Sequence, residues 1–230
     1  MPITRQRIWI TRAQPGADGT AERVRALGHE AVVAPLLAVQ ALNDVRLDLS
    51  DVAALAFTSA NGVRAFADRS AERALKVFAV GLATAQAARK AGFRAVLSAD
   101  GDVNALVQGI AARAKELKGV VLHPGAVDLA GDLTGDLEKR GVVARRLALY
   151  ESTPIAVEDA ASLVACDAVL VHSPKGATAL ARILKTHPAP GLRAFGLSRA
   201  VLRPLARIPL AERTCPPFPL EAALLSLIDR

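Results

Sequence analysis

Short apolar runs, rich in Val, Ile and Leu, alternate along this chain with Ala-rich stretches of helical spacing. Ile8 to Thr11 reads as a buried strand. Ala17 to Leu27 has helical spacing and stops at Gly28, a residue type common just past a helix end. Ala31 to Val39 reads as a second strand and Ala53 to Thr58 as a third. Asn61 to Ala67 opens a helix. Val77 to Val80 is a strand, Ala83 to Ala91 a helix ended by Gly92, Ala95 to Leu97 a short strand and Val103 to Leu117 a helix. The second half runs the same way: strands at Val120–His123, Ala144–Glu151, Ala168–His172 and Ala194–Gly196. Its helices are Leu129–Lys139 (ended by Gly141), Lys175–Leu184, a stretch up to about Ala206, and Leu220–Ile228. Continuous apolar strands alternating with helices predict parallel sheets covered on both faces. Each half has about five strands and four or five helices by this reading, which predicts two flavodoxin-like doubly wound α/β domains.

The halves also resemble each other. FTSANGVRAFA from Phe57 returns as VHSPKGATALA from Val171, and AVGLATAQAARKAG from Ala79 is echoed by AFGLSRAVLRPLAR from Ala194. The opening segment from Ile8 is matched by the one from Val120. The offsets are 114, 115 and 112 residues, close to half of the 230-residue chain, and the order is kept. A duplicated unit follows, with two lobes expected to face each other across a cleft. Residues 37–44 and 149–159 are strand-like and then turn polar, and are read as interlobe connections that pair as a two-stranded bridge. Whether each lobe is one continuous half, or the halves exchange pieces, stays open at this level.

In open parallel sheets, ligands bind beyond the carboxyl ends of the strands. The loops there hold Thr11 and Arg12, Thr58, Ser59 and Asn61, Gly81 and Thr84, His123, Ser173 and Lys175, and Gly196, Ser198 and Arg199. Each loop begins a helix, so unpaired backbone N–H groups point outward and suit carboxylates or phosphates. Singly, Ser59, Thr84, Ser173 and Ser198 read as N-caps, and Gly81 and Gly196 as aids to close packing. As a set at equivalent positions they read as a binding surface. Asp18, Asp128 and Asp132 lie near helix starts, where they complement the dipole. Of the four histidines, His29 is expected in a turn and solvated. His123 and His172 end strands, as satisfied loop residues or facing a ligand. Tyr150, the sole tyrosine, lies at the proposed crossing; it reads either as a packed hinge aromatic or as a phenol that stabilises a leaving hydroxyl.

Composition narrows this picture. Hydrophobic residues make up 52% of the chain but aromatics only 3%, so the core is aliphatic and base stacking is a poor binding mode. The net charge of +7 suits an anionic partner, while the arginines are scattered through helices and form no nucleic-acid tail. Cys166 and Cys215 form no CxxC pair and read as reduced thiols. No signal peptide and no apolar run long enough for a membrane span is found, so a cytoplasmic location is expected. There is no GxGxxG, Walker A, HExxH or GxSxG motif, no spacing for a metal and no evident nucleophile–base pair.

The motifs ITR, VRALGHEAVVAPLLAV, FTSANGVRAF, VGxATA, LALYES and DAVLVHSPKGATAL, in this order over essentially the whole chain, resemble the uroporphyrinogen-III synthase family. The resemblance implies two flavodoxin-like domains joined by a two-stranded ladder. One is discontinuous, 1–37 plus 155–230; the other is 42–150, with 38–41 and 151–154 as the ladder. It implies a cyclising lyase that converts hydroxymethylbilane to uroporphyrinogen III, with loss of water and inversion of ring D through a spiro intermediate, in haem biosynthesis. It implies no metal or organic cofactor. The substrate would arrive from the preceding synthase, and the protein would act as a monomer without nucleic acid or membrane. Tyr150 matches the family's tyrosine, taken to assist departure of the ring A hydroxyl. Thr11, Arg12, Thr58, Ser59, Thr84 and Ser173 match its loop positions. The chain departs from the pattern at Arg199, where the family has threonine, and at His123–Pro124–Gly125. These departures suit an alternative, a non-catalytic or regulatory relative binding an anionic tetrapyrrole. A solute-binding protein of the periplasmic type would also have two α/β lobes, but the expectation of no signal peptide and of reduced cysteines argues against it.

Overall fold

The computed structural model describes residues 4–128 and 131–229. The chain forms strands β1 (Arg7–Ile10), β2 (Glu30–Val33), β3 (Leu37–Ala41), β4 (Val52–Phe57), β5 (Lys76–Ala79) and β6 (Val96–Ser98), then β7 (Val120–Ala126), β8 (Ala144–Pro154), β9 (Ala168–Val171), β10 (Arg193–Gly196) and β11 (Glu212–Thr214). The helices are α1 (Gly16–Ala26), α2 (Ala60–Ala67), α3 (Leu82–Lys90), α4 (Val103–Ala111), α5 (Leu133–Glu138), α6 (Ala160–Val164), α7 (Pro174–Thr186), α8 (Arg199–Leu202) and α9 (Glu221–Leu225). This is a mixed α/β fold with parallel sheets.

Two compact units are formed. One comprises Met1–Ala38 and Thr153–Arg230, the other Val39–Ser152. The first contains a five-stranded sheet in the order β11-β10-β9-β1-β2, the second a six-stranded sheet in the order β3-β8-β7-β4-β5-β6. β1, β2, β9, β10 and β11 pair in parallel, as do β4 through β8.

Each sheet is buried on both faces, which is why its strands read as unbroken apolar runs. In the first unit Trp9, Val169, Val171 and Ala194 pack on one face with α7 residues such as Leu180 and Leu184. Ile8, Ile10, Leu170 and Phe195 pack on the other with α1 and α9. In the second unit Leu55, Phe57, Val77 and Leu122 join α2 and α3, while Ala54, Ala56, Phe78 and Val121 join α4 and α5. Three of the six phenylalanines, Phe57, Phe66 and Phe93, sit together with ring centroids 6.0–6.2 Å apart.

Several elements differ from the sequence expectation. The single strand expected over Ala31–Val39 is two, β2 and β3, in different sheets. Pro35 cannot donate to a ladder, and Leu36 turns into the core, its N–H bonded to Thr11 O at 2.9 Å. The helix expected over Val103–Leu117 ends at Ala111, followed by a 3₁₀ turn at Ala114–Glu116. The helix expected from Leu129 begins at Leu133, capped by Asp132; Leu129 and Ala130 lie outside the described residues. α6 and β11 are additions, both too short to show a period. His29 is not solvated. It is 3% exposed, with Nε2 2.8 Å from Asp229 and the Gln6 amide donating to Nδ1.

Candidate functional site

In the second unit, β7 and β4 are adjacent, and their successors β8 and β5 lie on opposite sides. Open α/β sheets hold ligands beyond the strand ends at such a reversal, and polar side chains of this unit gather there. Ser59 caps α2: its Oγ accepts the Gly62 N–H at 3.1 Å. The same oxygen lies 2.9 Å from the Tyr150 hydroxyl. Beside it, Thr58 Oγ1 is 3.1 Å from Nε2 of His123.

A β-bulge aims the tyrosine. β7 and β8 pair Gly125 with Ala148, but Ala126 with Tyr150, so Leu149 is an extra residue. One extra residue reverses the alternation beyond it. Leu147 and Leu149 pack into the core with Phe57 and Phe66, and Tyr150 then turns its hydroxyl to the cap of the same α2. The helix comes close because residue 62 is glycine: a Cβ there would stand 2.7 Å from Pro124 O.

Burial sets the protonation states. It raises the Tyr150 pKa above its ordinary 10, with the Ser59 hydrogen bond pulling the other way, so the phenol is neutral and able to donate. His123, 1% exposed, is pushed down to about 4 by burial and by Arg146, and is a neutral imidazole at pH 7. Its Nδ1 is buried without a partner.

The remaining second-unit candidates lie nearby in the fold but outside this cluster. Asn61 accepts a hydrogen bond from Arg64. Gly81 caps α3 in extended geometry with no side-chain cap bond, and Thr84 is buried within that helix.

In the first unit the reversal falls between β1 and β9. Thr11 is 2% exposed and its hydroxyl donates to Leu170 O at 2.7 Å, so this group ties two strands together. Arg12 projects from the end of β1 and its Nη1 is 3.2 Å from both Thr20 Oγ1 and Glu221 Oε1. Ser173 caps α7 through the Gly176 N–H at 3.1 Å, with Pro174 in the first turn and Lys175 half-buried after it. Ser198 caps α8 through the Val201 N–H, and Arg199 is exposed. Gly196 is a packing glycine; a Cβ there would meet Leu202 at 2.6 Å.

Sequence reasoning missed the ion cluster around Glu221. Arg12 lies 3.2 Å from its Oε1 and Arg23 2.9 Å from its Oε2. Thr20 donates a hydrogen bond to Oε1. Burial pushes the Glu221 carboxyl up, but the facing His172 imidazole, the Thr20 hydroxyl and the Arg12 guanidinium outweigh it and hold the group at about 2, hence ionised. No spacing in the chain announces a contact between residues 12 and 221.

Among the described residues no helix is long and apolar enough to cross a membrane, and no group of three or more His, Cys, Asp or Glu stands together as a metal site.

Both parallel α/β units place capped helix starts at the ends of their strands, and the second unit a buried phenol as well, where open α/β sheets as a class hold their ligands. Residues 18–226 match the family model described as HEM4, uroporphyrinogen-III synthase HemD, and the chain belongs to that family. The structure is similar to that of uroporphyrinogen-III synthetase from Helicobacter pylori, at TM-score 0.67 and 15% identity over 98% of both chains. It is also similar to a mutant uroporphyrinogen-III synthase from Thermus thermophilus, at TM-score 0.55 and 17% identity over 97% of both. By sequence, no curated protein matches.

Proposed function

We propose that this chain closes hydroxymethylbilane to uroporphyrinogen III in haem biosynthesis, with Tyr150 as the catalytic residue. The observation that carries the role of Tyr150 is its 2.9 Å contact with the cap of α2. Ser59 Oγ already accepts the Gly62 amide, so its own proton can be given to the Tyr150 oxygen. The phenolic proton is then directed at the ligand. In the reaction the C–O bond of the ring A hydroxymethyl group breaks and the pyrrole electron pair drives it. A neutral donor at the departing oxygen lowers the cost of the charge developing there. The phenol's raised pKa keeps it protonated and suits a hydrogen bond to the departing oxygen, which takes up a proton and leaves as water; the proton that ring D loses on closure balances it. Ring D then attacks, inverts through a spiro intermediate and closes the macrocycle, steps that demand positioning more than acid–base strength.

The same reading assigns binding roles to Arg12, Ser173, Lys175, Ser198, Arg199, Thr58, Asn61, Gly81 and Thr84, whose loops offer cations, hydroxyls and helix-start amides to the eight carboxylates of the substrate. Buried and hydrogen-bonded, Thr11 and His123 are read as shaping these loops. The strand order β2-β1-β9-β10-β11, and the same pattern read from β7 in the second sheet, support two flavodoxin-like domains. On this reading 38–41 and 151–154 form the connecting ladder. A cytoplasmic monomer, supplied by the preceding synthase, completes the proposal.

The test is incubation with freshly made hydroxymethylbilane. The expected product is the type III isomer, against the type I isomer of spontaneous closure. A protein that binds the bilane yet leaves only type I is a binder without activity, and the proposal fails.

A further inference from the structure

Glu221 occupies a site built for a carboxylate. Two guanidiniums and a hydroxyl converge on it: Arg12 at 3.2 Å, Arg23 at 2.9 Å and Thr20. Arg12 is seated by the backbone, since its guanidinium lies over Gly16, where a Cβ would stand 2.7 Å from Nε. The fourth wall is His172, at the end of β9. Its side chain is 9% exposed and both ring nitrogens are buried without a hydrogen-bond partner. Nε2 faces the Glu221 carboxylate at 3.7 Å, beyond hydrogen-bond reach. A buried imidazole left unsatisfied beside an anion is costly in a finished structural site. Glu221 therefore fills this pocket incompletely. It is carried by the start of the short α9, after the segment Pro216–Pro217–Phe218–Pro219–Leu220, in which Phe218 and Leu220 are 67% and 59% exposed.

The geometry points to a carboxylate subsite made by Arg12, Thr20, Arg23 and His172, held shut by Glu221 as an internal stand-in and opened when a carboxylate of the ligand takes its place. The inference rests on the proposed function only for the ligand's class, a tetrapyrrole polycarboxylate. Glu221 thereby acts as a latch. It screens two arginines while the site is empty, and ligand affinity is reduced by the exchange.

The probe is uroporphyrin I, a stable octacarboxylate, titrated by its fluorescence. Glu221→Gln keeps the shape of the side chain and removes its charge. The expected result is three- to tenfold tighter binding than wild type. In an Arg12→Gln/Arg23→Gln background the same change is expected to bring no gain. Because Glu221 also ties α9 down, hydrogen exchange of wild type at residues 216–225 supplies a second readout. Binding of uroporphyrin I is expected to speed exchange there, as the latch leaves. Equal or weaker binding by a folded Glu221→Gln, or slower or unchanged exchange at 216–225 on binding, overturns the inference. A wild type that makes the type III isomer while Glu221→Gln gains nothing sinks the latch alone. A wild type that makes only type I while the gain is seen sinks the proposed reaction alone.

Discussion

The Tyr150 hydroxyl and Ser59 Oγ are 2.9 Å apart, and the serine is at the same time the cap of α2. One oxygen thus anchors a helix and orients the only phenol of the chain. Replacement of Tyr150 by Phe removes the donor and little volume. Turnover is expected to fall by about 10²-fold, the scale for one positioned donor, while uroporphyrin affinity changes little. Steady-state rates beside a fluorescence titration check this; equal losses in both would contradict the role.

Ser59→Ala removes the cap and the partner of Tyr150 together. Stability is expected to fall by about 1 kcal/mol from the lost cap, measured by urea unfolding. In a double-mutant cycle with Tyr150→Phe the turnover losses should be strongly non-additive, because both changes disable one hydrogen-bonded unit. Additive losses would separate the two residues.

Acid stability should fall in two steps. His123 titrates near 6.5 when unfolded and about 4 when folded, so between those values the unfolded state holds more protons. Its contribution is present above pH 6.5 and lost as pH falls to about 4, on the order of 3 kcal/mol. His172, lowered mainly by burial, acts in the same direction. Glu221 drops from 4.5 to about 2 on folding; its contribution is present above pH 4.5 and lost below it. Urea midpoints measured from about pH 7 down to about pH 3 should show both limbs. His123→Asn should flatten the upper one, and Glu221→Gln the lower.

Gly62→Ala should destabilise by about 1–3 kcal/mol, the usual cost of overpacking, since the added Cβ meets backbone at Pro124 O that cannot rotate away. Thermal unfolding measures it. Turnover should fall further than stability predicts, because α2 carries Ser59.

Arg199 is exposed at the start of α8. Arg199→Glu is expected to raise KM several-fold in dilute buffer, with the difference shrinking as salt screens the charge. A KM that does not respond to salt would remove Arg199 from the binding surface.

Much of this protein was legible in its sequence. Strand positions such as Ile8–Ile10, Ala54–Phe57 and Ala168–Val171 stood out because a strand buried on both faces must be continuously apolar, and that demand is local. Ser59, Ser173 and Ser198 could be placed at helix starts because a cap bonds within three residues of itself. The family motifs, too, are short and ordered along the chain. What the sequence could not show depends on pairing over long separations. The break at Pro35 that sends β2 and β3 to different sheets, the bulge that turns Tyr150 toward Ser59, the burial that depresses His123, and the meeting of Arg12 with Glu221 are set by register and packing. Such contacts join residues 65 to 209 positions apart, and no local pattern encodes them. Composition and periodicity chose the kind of fold; only the assembled strands decided which hydroxyl, imidazole and carboxylate would share a site.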